Sequence, residues 1–147
     1  MGVRESQLVF KDGEIPMDPA SDAYYGGQPA KIGAAGASLA KSEDAAYIGI
    51  MKNSSYEDNK NGNVTIIYGG KVTFLNGSDQ IDSVINGETV EGAPYDTTLT
   101  WNAGDYLYIA SSGLWSNTGT SGKEKGIIIR PATSVDGSMD AYMFMKK

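Results

Sequence analysis

The sequence predicts an all-β fold: a small β-barrel over residues 46–147, preceded by an extended N-terminal arm with little regular structure over residues 1–45. Three observations carry this prediction. Between Leu99 and Met145, short apolar strands alternate with glycine turns. Glycine supplies 19 of the 147 residues, well above the usual share of about 7%, so turns must be frequent. The first 45 residues are rich in Gly, Ala, Pro, Ser and Asp, and their apolar residues are too interrupted to build a core alone.

In the arm, Leu8, Val9, Phe10, Ile15 and Met17 are broken up by Asp12-Gly13 and by Pro16 and Pro19. Each proline biases its predecessor toward extended backbone, so Ile15 to Pro19 is expected to run extended. Ala37 to Ala46 contains alanines and Ser42-Glu43-Asp44, which suit one or two helical turns.

From Ala46 the pattern turns to strands. Tyr47-Ile48-Gly49-Ile50-Met51 is a short apolar run, and Ser54 to Gly62 is a polar loop. Val64 to Tyr68 and Lys71 to Leu75 flank Gly69-Gly70, the spacing of a β-hairpin closed by a primed two-residue turn. That hairpin sets Ile67 against Val72 and Thr65 against Phe74 on one face, with Ile66 against Thr73 and Val64 against Leu75 on the other. Both faces are then partly apolar. Either a second subunit covers one of them, or the strands belong to a small sandwich with irregular loops.

Asp79 to Gly92 alternates only weakly and reads as a lid or an excursion over the sheet. Strands follow at Leu99 to Ile109, after a turn at Ser112-Gly113, at Gly126 to Arg130 and at Met139 to Met145. From Ala46 onward this makes about seven strands, at a spacing of roughly 8 to 15 residues suited to a barrel or sandwich.

Composition narrows the function. A chain of 147 residues fits one domain that buries roughly two thirds of its unfolded surface. The net charge of −6 repels phosphate backbones and anionic lipid, so neither nucleic acid nor membrane is an expected partner. With no cysteine and no histidine, the chain lacks disulfides, thiolate zinc sites and the commonest general base. No run reaches the roughly 18 apolar residues of a bilayer span. The first twenty residues lack the apolar middle of a secretory signal, so the chain is expected to be made soluble and not exported by that route.

Few residues point to chemistry. Glu57-Asp58-Asn59-Lys60-Asn61-Gly62 has the oxygen-rich look of a calcium loop, but its twelfth position is Tyr68 where a bidentate Glu belongs. Gly33-Ala34-Ala35-Gly36 and Gly69-Gly70-Lys71 lack the spacing of a phosphate-binding loop and read as turns. Asp96, Asp105, Asp136 and Asp140 lie near strand ends, where a carboxylate pair could cut glycosidic bonds. Such pairs are common on any acidic surface, so no catalytic residue, cofactor or metal is expected and the chain is not read as an enzyme. Trp101, Trp115 and the nine tyrosines would serve core and interface packing, or a sugar-binding platform.

The succession of motifs resembles that of the tailed-bacteriophage head decoration, or cement, proteins. It runs from Ile48-Gly49-Ile50 through Gly69-Gly70-Lys71-Val72 and Trp101-Asn102-Ala103-Gly104-Asp105-Tyr106-Leu107-Tyr108 to the Ser112-Gly113 turn, Lys125-Gly126-Ile127-Ile128 and a final apolar strand. Gly104-Asp105-Tyr106-Leu107-Tyr108 is similar to that family's Gly-Asp, aliphatic, Tyr element. Lys125-Gly126-Ile127 stands where an Ile-Gly or Val-Gly step is more usual, and the N-terminal part is long. The resemblance spans roughly residues 46 to 145.

It implies a tulip-shaped β-barrel on the outer surface of the capsid in the virion, made in the host cytoplasm. There it would bridge neighbouring copies of the major capsid protein as a homotrimer and stabilise the head. Leu8, Val9, Phe10, Ile15 and Met17 are the expected capsid-binding arm. Trp101, Tyr106, Tyr108 and Trp115 are the expected contacts between copies. The alternative is a carbohydrate-binding or adhesion module displayed on a virion or cell surface.

Overall fold

The structure, a computed structural model, describes residues 3–5, 10–76, 84–85, 87–90, 92–133 and 137–145. Among these, the strands in chain order are β1 (Val3–Glu5), β2 (Phe10–Pro16), β3 (Pro29–Gly33), β4 (Gly36–Leu39), β5 (Tyr47–Met51), β6 (Asn63–Phe74), β7 (Val84–Ile85), β8 (Glu88–Thr89), β9 (Tyr106–Ile109), β10 (Trp115–Ser116), β11 (Gly126–Arg130) and β12 (Met139–Met143), with one helix, α1 (Ser55–Asn61). An antiparallel sheet dominates, in the order β10-β9-β11-β12-β6-β5-β3-β4, with β1 and β2 also paired to β6; β7 and β8 form a separate hairpin. The all-β expectation holds.

The spine is β6, a single strand of 12 residues that runs straight through Gly69-Gly70. The hairpin expected there does not form. Instead the glycines mark where the strand changes neighbours. Its first half pairs with β2 and β5, and its second half with β1 and β12. Gly70 adopts φ 107, a backbone conformation that side chains with a Cβ resist. At Gly69 a Cβ would sit 2.8 Å from the Met145 sulfur and 3.1 Å from the Met143 carbonyl oxygen. The Gly-Gly pair therefore provides a bend that feeds one strand into two parts of a curling sheet.

Segment 1–45 also departs from expectation. Among its described residues it supplies four strands. β1 and β2 run antiparallel to β6, from Val3 opposite Phe74 to Pro16 opposite Asn63. Residues 29–39 make a hairpin, β3–β4, whose first strand pairs with β5. Poor in apolar residues on its own, the segment is ordered by borrowing the apolar faces of β5 and β6. The expected helical turns from Ala37 are replaced at their start by β4, whose residues are all buried.

Two cores result. Ile50, Ile67, Val72, Phe74, Leu107, Trp115, Ile128 and Met139 form the larger one, while Tyr24, Ala30, Ala37, Leu39, Met51, Val64 and Ile66 form the smaller. Side chains alternate along a strand, so Ile66 and Ile67 enter opposite cores, as do Met51 and Ile50. Both apolar faces of β6 are thus covered by its own chain.

The sheet curls into a half-barrel but is not a closed barrel: among the described residues no ladder joins its ends, β4 and β10. Side chains and loops bridge the gap. The Gln28 amide donates to the Gly113 carbonyl at 2.8 Å, the Trp115 indole donates to the Gly27 carbonyl at 2.7 Å, and Glu43 accepts the Thr120 N–H at 3.0 Å.

Where a polar loop was expected, α1 forms. Ser54 caps it, its side chain accepting the Glu57 N–H while Glu57 reaches back to the Ser54 N–H, and Gly62 ends it with an N–H bond to the Asp58 carbonyl. This reciprocal arrangement satisfies donors that a short helix otherwise leaves unmet.

Candidate functional site: an aromatic face and its cleft

The pairing register lines up one row of side chains across the C-terminal strands. Ile127 on β11 lies opposite Tyr106 on β9 and opposite Tyr142 on β12, and Tyr142 lies opposite Lys71 on β6. Their chain neighbours Leu107, Ile128, Ala141 and Met143 point into the larger core, so period-two alternation sends this row outward. Tyr106 and Tyr142 are 45% and 43% exposed, and Ile129 and Met145 are each 47% exposed. Two strand spacings put the tyrosine backbones roughly 10 Å apart. Phe144 adds a third ring, tilted against Tyr142 with centroids 6.1 Å apart.

Beside this face lies a cleft of about 900 Å³ whose walls include Tyr47, Tyr106, Glu124, Lys125, Tyr142 and Phe144. Tyr47 is buried, edge-on to Trp115 at 6.0 Å, and the Lys125 ammonium sits 5.2 Å from its ring centroid. Its hydroxyl is buried without a hydrogen-bond partner. Burial pushes that phenol well above its ordinary value, so it stays a neutral O–H donor. The Glu124 carboxyl is held below its usual range by backbone N–H groups, its own and that of Gly122, and stays ionised. Lys125 stands next to it, so among the described wall residues one carboxylate is matched by one ammonium.

A second cleft, of about 490 Å³, lies between α1 and β4 and includes Tyr24, Gln28, Leu39 and Tyr56 in its walls. Beneath it the Tyr24 hydroxyl donates to Asp58 at 2.6 Å. Desolvation raises the Asp58 carboxyl against the lowering effect of this bond, and the neighbouring Glu57 charge raises it further. Asp58 is therefore a structural acceptor inside the fold, and its stretch of chain is helical where a calcium loop would wrap around an ion.

Three of the four strand-end carboxylates, Asp96, Asp105 and Asp140, are occupied. Asp96 accepts from the Thr98 N–H at 2.9 Å and the Thr98 hydroxyl at 2.6 Å; Asp105 accepts from the Asn102 N–H at 2.8 Å. Asp140 accepts from Arg130 at 2.9 Å and from the Thr73 hydroxyl at 2.6 Å. Asp136 lies outside the described residues. Among the described residues no group of three or more acidic side chains is placed to hold a metal ion.

Of the expected arm contacts, Leu8 and Val9 lie outside the described residues. Phe10 opens β2 opposite Gly69, and Ile15 sits opposite Val64. Met17 bridges to Ala37, and both it and Ile15 pack half-buried on the smaller core. Of the expected contacts between copies, Trp115 is fully buried and Trp101 nearly so, its indole donating to the Asp96 carbonyl at 3.0 Å. Tyr108 is 9% exposed. Tyr106 alone of the four stands on the surface, where the structure adds Tyr142, Ile129 and Met145, which sequence reading missed. The signal was present: Met139, Ala141 and Met143 alternate with the polar Asp140 and aromatic Tyr142, the pattern of a strand with one outward face.

Comparison with protein-family models, with curated proteins and with solved structures found no match to this chain.

Proposed function

We propose that this protein is a structural capsid-decoration (cement) protein, which binds the outside of a phage head and stabilises it by bridging copies of the major capsid protein, acting as a homotrimer. The observation that carries this reading is the outward face of β9, β11 and β12, where Tyr106, Ile129, Tyr142 and Met145 leave large apolar surface uncovered while nearby carboxylates are spent on internal bonds. Such a face favours adhesion, because covering it returns about 25 cal/mol for each Å² of apolar area removed from water. An open, curled, all-β sheet also suits the tulip-shaped domain of that family.

The mechanism would be mechanical. Each copy seated across a joint in the shell removes apolar surface from water, and parting the shell subunits must expose it again. Binding to the assembled head alone stabilises it by mass action.

The test is to add the purified protein to empty expanded heads built from a tailed-phage major head protein, and to measure occupancy and the temperature at which the heads open. The expected result is saturable binding and a raised opening temperature. Ile129→Glu and Tyr142→Glu, which lie on the surface and should leave the fold within about 0.5 kcal/mol of the parent, are expected to abolish both effects. Heads that bind none of the protein and open at the same temperature with and without it would refute the proposal.

A further inference from the structure

We infer that the cleft beside Tyr106 and Tyr142 is a binding site for a neutral saccharide, a function separate from capsid decoration and testable without heads. Three features of the cleft specify the ligand. Its volume of about 900 Å³ is at the upper end of the roughly 300–1,000 Å³ typical of small-molecule sites, enough for more than one sugar ring.

Its walls combine the half-exposed rings of Tyr106, Tyr142 and Phe144 with one carboxylate, Glu124, and one ammonium, Lys125. Aromatic faces stack on the C–H face of a pyranose, while Glu124 accepts from its hydroxyls and Lys125 donates to them. Glu124 and Lys125 are the charged groups among the described wall residues and are opposite in sign, which favours an uncharged polyol over a cation or an anion.

The third feature is Tyr47. Its hydroxyl is buried and has no partner in the free protein. An unsatisfied buried donor is destabilising, and sites that hold one commonly trade stability for function. A ligand oxygen entering the cleft, whose wall includes Tyr47, supplies the missing acceptor. The same group that weakens the empty fold then strengthens the complex.

The experiment is isothermal titration calorimetry of the intact chain with soluble oligomers of glucose, galactose and N-acetylglucosamine, with choline and citrate as cationic and anionic probes. The expected result is saturable binding of at least one oligosaccharide with Kd of about 1 mM or tighter and no binding of either charged probe. Tyr106→Ala and Tyr142→Ala should each weaken binding at least about tenfold. Tyr47→Phe should raise the melting temperature of the free protein by a few degrees and weaken the sugar several-fold.

Failure of all three oligomer series to bind at about 10 mM would overturn the inference. So would preference for a charged probe, binding unmoved by the two alanine variants, or a Tyr47→Phe protein that binds sugar as well as the parent. Tyr106 and Tyr142 also stand on the face proposed to meet the head, so head binding is read separately through Ile129→Glu, a residue outside the cleft wall.

Discussion

The indole of Trp115 donates to the Gly27 carbonyl while the edge of Tyr47 meets its ring, so one side chain ties β10 to both the loop before β3 and the start of β5. Trp115→Phe keeps a ring but strands the Gly27 carbonyl and opens space, so it should cost about 2–4 kcal/mol of unfolding free energy in urea titration. Asp140 makes a different kind of contribution. Partial burial pulls its carboxyl upward, but the Arg130 and Thr73 hydrogen bonds and the Arg130 and Lys71 charges outweigh that and hold it below its ordinary value. A carboxyl with a lowered folded value stabilises the protein above the ordinary value of 3.8 and loses that contribution as pH falls through the folded one. Asp140→Asn should therefore be less stable than the parent by about 1–3 kcal/mol at neutral pH, and the gap should close in acid. Equal gaps at both pH values, measured by urea unfolding, would contradict this account. At this scale the sequence was only partly legible. Trp101 and Trp115 could be recognised as packing residues, but not as core rather than interface, because strands without helices give aromatic residues two equivalent faces. Tyr47 and its orphaned hydroxyl left no trace in composition or spacing.

At the scale of elements, most strand positions after residue 45 could be read from apolar runs and glycine turns: β5, β11 and β12 lie where expected, while of the expected strand from Leu99 to Ile109 only the end, β9, forms. The errors share a cause: local signals were outvoted by pairing partners distant in sequence. Gly69-Gly70 has hairpin spacing, yet β2 and β5 hold one half of β6 and β1 and β12 hold the other, so the chain bends without reversing. Gly70→Ala puts a Cβ on a residue at φ 107 and should cost at least about 1–2 kcal/mol, read as a lowered urea midpoint with the slope unchanged. An unchanged midpoint would mean that the bend does not depend on glycine. The capping box at Ser54 and Glu57 is the one missed element whose signature was fully local. Ser-x-x-Glu opens α1 and Gly62 closes it, and only the polar composition of the stretch suggested a loop.

Across the whole molecule, the expected division into arm and barrel gives way, among the described residues, to a curled sheet that includes β1 and β2, residues 3–5 and 10–16. Val3 is buried among Val72, Phe74 and Met139. Deleting residues 1–16 should therefore abolish cooperative unfolding and near-UV ellipticity. A truncated chain that melts like the parent would restore the view of a detachable arm. The open topology also carries a consequence for how the chain comes into being. The partners of Phe74 are β1, at one extreme of the described chain, and β12, the last of the described elements to emerge from a ribosome. At about 5–20 residues per second, the hydrophobic centre waits several seconds after β6 is made for its final neighbour. Over that interval the nascent protein exposes half of its longest strand as an unfinished edge, so its yield in cells should depend on chaperone supply more steeply than its finished stability suggests.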